Sequence, residues 1–131
     1  MDLLLDTHVL LWWDADDPQL GPEARAAIAD SANRVHVSAA SLWEIAIKAR
    51  KGKLSLGGPL DGLIAGHGFL PLPMMPEHAI AAGSLDWDHP DPFDRMLVAQ
   101  ARAEALILVH ADGIVRRYGG VPQLWAKAPE R

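Results

Sequence analysis

Cysteine is absent from the 131 residues. Its absence excludes a disulfide framework, a thiolate metal site and a cysteine nucleophile, and it agrees with a cytoplasmic location. A positive excess is missing too: 17 acidic residues stand against 12 basic ones, for a formal net charge of −5. Such a chain does not hold nucleic acid by bulk positive charge. A nuclease stays open, because acids gathered around a cation reverse the local field. No apolar run approaches the roughly twenty residues of a spanning helix. The first segment, MDLLLDTHVLLWWDADD, is interrupted by Asp6 and His8, follows no basic region and precedes no small-residue cleavage site, so we expect neither a signal peptide nor a membrane span. Gly57, Gly58, Gly62, Gly66 and Gly68 lack the lysine and hydroxyl of a phosphate-binding loop and read as helix punctuation.

Half of the chain is apolar, enough for one compact core, and we expect a single domain over residues 1–131. Short continuous apolar runs alternate with helical stretches. Strands are expected at Leu3–Leu5, Val35–Val37, Phe69–Leu72 and Leu106–His110, with a last one inside VPQLWAKAPER before a polar tail. Pro71 pushes its strand toward an edge. Helices are expected in THVLLWWDA, from Pro22, in SAASLWEIAIKARKG, in GGPLDGLIAGHG, in MPEHAIAAGSL and in DPFDRMLVAQA, with a short helix or turn after Gly113. In the helix from Asp91, that residue can serve as N-cap, Pro92 sits where a missing N–H costs nothing, and Asp94 occupies the acid position of a capping box. Continuous rather than alternating apolar strands indicate a parallel sheet covered on both faces, an α/β/α architecture.

In that architecture, right-handed crossovers bring helix N-termini to the carboxyl edge of the sheet. Asp6 ends the first strand, Glu44 lies early in the helix after the second, Asp94 begins the helix from Asp91, and Asp112 follows LILVH. All four acids should face one edge. Each also has a local reading: Asp6 as a cap, Glu44 in a box Ser41-Leu42-Trp43-Glu44 or paired with Lys48, Asp112-Gly113 as a turn. Together they would repel and raise one another's pKa. A hard divalent cation removes that cost, and oxygen donors suit Mg²⁺ or Mn²⁺ better than zinc. Phosphoryl chemistry is the usual use of such a site and needs no Ser-His-Asp arrangement.

LLDTHVLLWW, VSAASLWEIAIKARKGKL, DPFDRMLVAQA and LVHAD stand in an order and spacing that resembles PIN-domain proteins of the VapC type, the ribonuclease toxins of type II toxin–antitoxin pairs. The resemblance covers nearly the whole chain. It implies a three-layer PIN-like fold with a short-stranded parallel sheet, and it makes Asp6, Glu44, Asp94 and Asp112 the acidic metal-binding and catalytic quartet. The implied reaction is Mg²⁺-dependent endonucleolytic cleavage of RNA. The implied partners are a second copy of the chain and a VapB-type antitoxin that blocks the site and carries operator DNA binding. In one departure, His110-Ala111-Asp112 stands where the family usually has a threonine or serine two positions before the last acid. His110 could substitute for the hydroxyl, reshape the site or weaken it. In another, Pro90 occupies a position where basic residues are common.

Thr7 and Arg95 are candidate substrate contacts, Thr7 by orienting Asp6 or a metal-bound water. Arg95, together with Lys48, Arg50, Lys51 and Lys53, could guide an RNA backbone. His8, His36, His67, His78 and His89 lack metal-ligand spacing and read as surface or satisfied core groups, His89 being the one placed to approach substrate. Trp12 and Trp13 cannot share one core-facing stripe, so one of them is an interface candidate, beside Trp43. A second reading is a catalytically weakened module that mainly binds its antitoxin, motivated by His110. A phosphorelay receiver fails because no acid pair follows the first strand and no lysine ends LILVH. A haloacid-dehalogenase-type phosphatase fails because His8 stands where its second aspartate belongs.

Overall fold

A computed structural model describes residues 1–129. Its strands are β1 (Asp2–Leu5), β2 (Arg34–Ser38), β3 (Leu70–Leu72), β4 (Ile107–His110) and β5 (Gln123–Trp125). The helices are α1 (Thr7–Asp14), α2 (Pro22–Ala29), α3 (Ala39–Arg50), α4 (Gly62–Ala65), α5 (Pro76–Ser84), α6 (Pro92–Ala103) and α7 (Gly113–Arg117). The strands form one parallel sheet in the order β3-β2-β1-β4-β5. The chain moves outward from β1 through β2 to β3, then returns past β1 to add β4 and β5. That reversal places a crevice at the carboxyl ends of β1 and β4, where open parallel sheets bind ligands.

Alternate residues of each strand feed different cores. Leu3, Leu5, Val35, Val37 and Val109 pack with Val9 and Leu10 of α1, Ile28 of α2, Ile45 of α3 and Leu63 of α4. Leu4 and Leu108 point the other way, onto Leu97, Val98 and Ala101 of α6 and Val115 of α7. The three-layer α/β/α arrangement follows from this alternation. Leu3, Leu4 and Leu5 are fully buried, and each contributes roughly 1.5–3 kcal/mol relative to an exposed side chain. Burial on both sides explains why β1 reads as an unbroken leucine run.

Pro71 lies in β3, which is an edge strand, as a residue without an N–H requires. Some strand boundaries differ from the sequence reading; β3, for one, begins at Leu70 and leaves Phe69 outside it. Leu106 is not part of β4; its N–H closes α6 by donating to Ala101 O at 2.8 Å, with Ala105 in the left-handed region at φ 55°. The helix expected in SAASLWEIAIKARKG forms over Ala39–Arg50, with Ser38 at the end of β2 as its N-cap, accepting the Ala40 N–H at 3.0 Å. The Ser41–Glu44 capping box therefore does not form. Gly21 caps α2 where the Cβ of any other residue would stand 2.5 Å from Ala128 N. Of the expected polar tail, Glu130 and Arg131 lie outside the described residues. Among the described residues no helix is long and apolar enough to cross a membrane.

Candidate metal centre

Asp6 directly follows β1, and its N–H extends the sheet by donating to Val109 O at 3.0 Å. Its Oδ1 caps α1 by accepting the Val9 N–H at 2.8 Å. The cap reading is thus correct for one oxygen, while Oδ2 has no hydrogen bond among the described residues. The carboxyl is buried, and its pKa is pushed up to about 7. Burial is the main cause, partly offset by the Val9 N–H; the charges of Asp94, Glu44 and Asp112 then add to the rise, in that order. The structure thereby brings the other three acids of the expected quartet within electrostatic reach of Asp6.

Asp112 follows β4 and caps α7, its Oδ1 accepting from Ile114 N at 2.7 Å and Val115 N at 3.2 Å. Its own N–H donates to His110 Nδ1 at 3.1 Å. Because Nδ1 accepts, Nε2 carries the ring proton and donates to Gln123 Oε1 at 2.7 Å. His110 is buried, and burial lowers its pKa, which favours this neutral ring. A threonine or serine hydroxyl commonly accepts an N–H two residues on. Here the imidazole makes that bond.

At the start of α6, Asp91 Oδ1 accepts from Phe93 N at 2.8 Å and Asp94 N at 3.2 Å. Asp94 does not return a bond to the Asp91 N–H, so the box is half formed. Its Oδ2 instead pairs with His89 Nε2 at 2.6 Å. Burial raises the Asp94 pKa; the His89 hydrogen bond opposes the rise, and Asp91 and Asp112 reinforce it. Ligand atoms of His89, Asp94 and Asp112 all lie within 4.8 Å of one another. His89, expected to be a surface or satisfied core group, therefore belongs to the acid cluster. Its Nδ1 is buried without a partner among the described residues. Sequence spacing could not reveal this, because the contact depends on how the loop before α6 folds back.

Glu44 sits at the margin of the cluster. Thr7 Oγ1 donates to its Oε1 at 2.6 Å, and Lys48 Nζ lies 3.0 Å from its Oε2. Thr7 thus orients Glu44 rather than Asp6. Arg95 also differs from its expected role. Its guanidinium donates to the carbonyls of Ala82 at 2.9 Å, Leu85 at 3.1 Å, His89 at 3.3 Å and Trp87, which spends the side chain inside the protein. Arg95 holds the loop that presents His89. Of the tryptophans, Trp12 and Trp13 both lean on the core, whereas Trp43 is 59% exposed. Beside the acids lies an open cleft of about 460 Å³ bordered by Glu44, Lys48, Lys51, Lys53 and Phe93.

The donor set suits a hard divalent cation. Carboxylate oxygens dominate it, Asp6 Oδ2 is unpartnered among the described residues, and a nearby positive charge would offset the burial cost and the added repulsion that raise Asp6 and Asp94.

The family model described as PIN domain matches residues 3–121. Among curated proteins, the chain is similar to Ribonuclease VapC22 of Mycobacterium tuberculosis, 32% identical over 120 residues that cover 88% of this chain and 91% of the relative. Among solved structures it is similar to VapBC2 from Rickettsia felis bound to a DNA fragment from its promoter, with a TM-score of 0.67 at 13% identity, covering 95% and 98% of the two chains. DNA-bound VapBC from Salmonella typhimurium gives a TM-score of 0.67 at 21% identity, covering 95% and 97%. The two structural likenesses bear on the fold.

Proposed function

Because the chain belongs to the PIN-domain family, in its VapC branch, we propose that it is a single-domain, metal-dependent endoribonuclease acting as the toxin of a type II toxin–antitoxin pair. The observation that carries this reading is the convergence of Asp94, Glu44 and Asp112 on the buried Asp6 at the carboxyl edge of β1 and β4. Asp6 and Asp94 would hold the principal Mg²⁺, or Mn²⁺ in its place, and Glu44 and Asp112 would complete the site. When bound, such an ion activates water, neutralises the scissile phosphate and stabilises the leaving oxygen.

The chain's own residues prepare that site. Val9 N–H fixes one Asp6 oxygen and leaves the other free. His89 Nε2 fixes one Asp94 oxygen, and the His110 ring sets the turn that carries Asp112. The apolar surroundings of Asp6 strengthen every charge interaction there, because screening by water is reduced. Thr7 holds Glu44 at the margin facing Lys48.

RNA is the substrate in this reading, and the VapB-type antitoxin is the partner through which operator DNA is reached. A second copy of the chain is the other partner, supported by the exposed apolar group Leu70, Met74, Met75 and Ile80. The site of action is the cytoplasm. The alternative of a catalytically weakened module is motivated by His110, and the hydrogen bond it accepts from Asp112 N–H weakens that motive. Purified protein with Mg²⁺ or Mn²⁺ should cleave RNA, and Asp6→Asn and Asp94→Asn should each reduce cleavage by at least a hundredfold, about 2.7 kcal/mol of transition-state stabilisation. Equal cleavage by the substituted proteins sinks the assignment.

A further inference from the structure

We propose that Trp43, Phe93 and the lysine wall formed by Lys48, Lys51 and Lys53 make a nucleotide subsite for single-stranded RNA immediately beside the acid cluster. The inference rests on the ribonuclease reading and adds where the strand next to the scissile phosphate is held. The chain has four lysines, and three of them border one cleft. In a protein of net charge −5, that concentration sets a local field opposite to the overall one. Lys51 and Lys53 make no ion pair among the described residues, so their charges are available to an anion. Of the acids bordering the cleft, Glu44 is paired with Lys48 and accepts from Thr7, and Asp91 turns Oδ1 to the two N–H groups it caps.

Trp43, 59% exposed, adjoins the cleft through Phe93, which borders it and braces the indole edge-on at 5.3 Å between ring centroids. An exposed indole held by a neighbouring ring loses little further freedom when a base stacks on it. Aromatic platforms beside positive side chains are the usual means of holding single strands without reading their sequence. The cleft adjoins the cluster at Glu44 and, through Asp91, at the start of α6. Glu44 borders both, and Asp91 lies one helical turn before Asp94. A strand with a phosphate at the acids thus has its next phosphate and base beside the lysines and the indole. Charge favours RNA over a protein segment as the occupant, since Lys51 and Lys53 are unpaired.

The test uses the whole protein and a mixed-sequence 2′-O-methyl oligoribonucleotide, which resists cleavage, with binding followed by anisotropy and by tryptophan fluorescence. Trp43→Ala should weaken binding about tenfold and remove most of the ligand-induced quenching, while Trp43→Phe retains most of the affinity. Lys51→Gln with Lys53→Gln should reduce the slope of log affinity against log salt by about 1. The same variants, supplied with Mn²⁺ and cleavable RNA, should show a raised KM and a largely preserved kcat. Unchanged affinity and quenching in Trp43→Ala, while the parent protein still cleaves RNA, overturns the subsite and leaves the ribonuclease reading standing. A parent protein that neither binds nor cleaves RNA overturns both. Loss of antitoxin binding in Trp43→Ala with RNA affinity intact would make this face a protein-docking surface and also overturn the subsite.

Discussion

Two demands meet on the Asp6 carboxyl: Oδ1 caps α1, while burial and three neighbouring acids raise its pKa to about 7. The consequence for stability has a definite sign. Between the ordinary value of 3.8 and about 7, the folded protein keeps a proton that the unfolded chain has released. Without metal, stability should therefore fall as pH rises through that window, by about 4 kcal/mol from Asp6. Asp94, raised in the same direction, steepens the fall. Thermal unfolding in chelator should give a lower Tm at pH 8 than at pH 5, with a flatter profile for Asp6→Asn; matching profiles would remove Asp6 as the cause. His89 supports a second expectation. His89→Phe should lower Mn²⁺ affinity about tenfold by freeing Asp94, and His89→Gln, which keeps a donor, should recover part of it. Calorimetric titration of the three proteins decides this, and full affinity in His89→Phe counts against any orienting role. The proximity of the four acids could be expected from the sequence because strand ends and the early turns of helices are local features. The His89 contact could not, since it depends on a loop held by Arg95 donors that reach back to Ala82, Leu85 and Trp87.

Elements were legible from their apolar runs and breakers, but their ends were set by distant partners. Of two serines near the start of the third helix, Ser41 offers a capping box with Glu44 in the sequence, yet Ser38 is the N-cap and Ser41 lies within the helix. Ser38 begins the helix because its hydroxyl also donates to Gln100 Oε1 at 2.6 Å, deep in α6. Gln100 is fully buried and donates from Nε2 to Pro73 O at 3.2 Å. His78, also fully buried, accepts Met75 N–H at 3.0 Å and donates from Nε2 to Glu104 at 2.9 Å. This polar seam ties the start of α3 to α5 and α6. Ser38→Ala removes the cap and strands a buried acceptor, so it should cost about 2 kcal/mol. Urea denaturation measures the loss, and a change below about 0.5 kcal/mol would mean that Gln100 finds another donor.

For the molecule as a whole, the exposed group Leu70, Met74, Met75 and Ile80 joins the edge strand to the start of α5, with Ile80 72% exposed. If two copies associate there, Ile80→Glu should shift the protein to monomer in light scattering after size exclusion, with unfolding unchanged, because a charge would be buried at the contact. A dimer that survives the substitution places the interface elsewhere. The parallel, doubly covered sheet was legible in the amino-acid sequence alone, because strands buried on both faces must be apolar at every position and crossovers between them must be helical. Local chemistry likewise determined the strand-end and helix-start positions of Asp6, Asp94 and Asp112, and put Glu44 in the second turn of α3. Only the tertiary structure decided which side chains accompany them: His89 on Asp94, Thr7 on Glu44, His110 under Asp112, and Arg95 turned inward. Those pairings join residues through loop conformation and side-chain direction. Neither is encoded by the periodicity of a single element, because both are settled by packing against the rest of the chain.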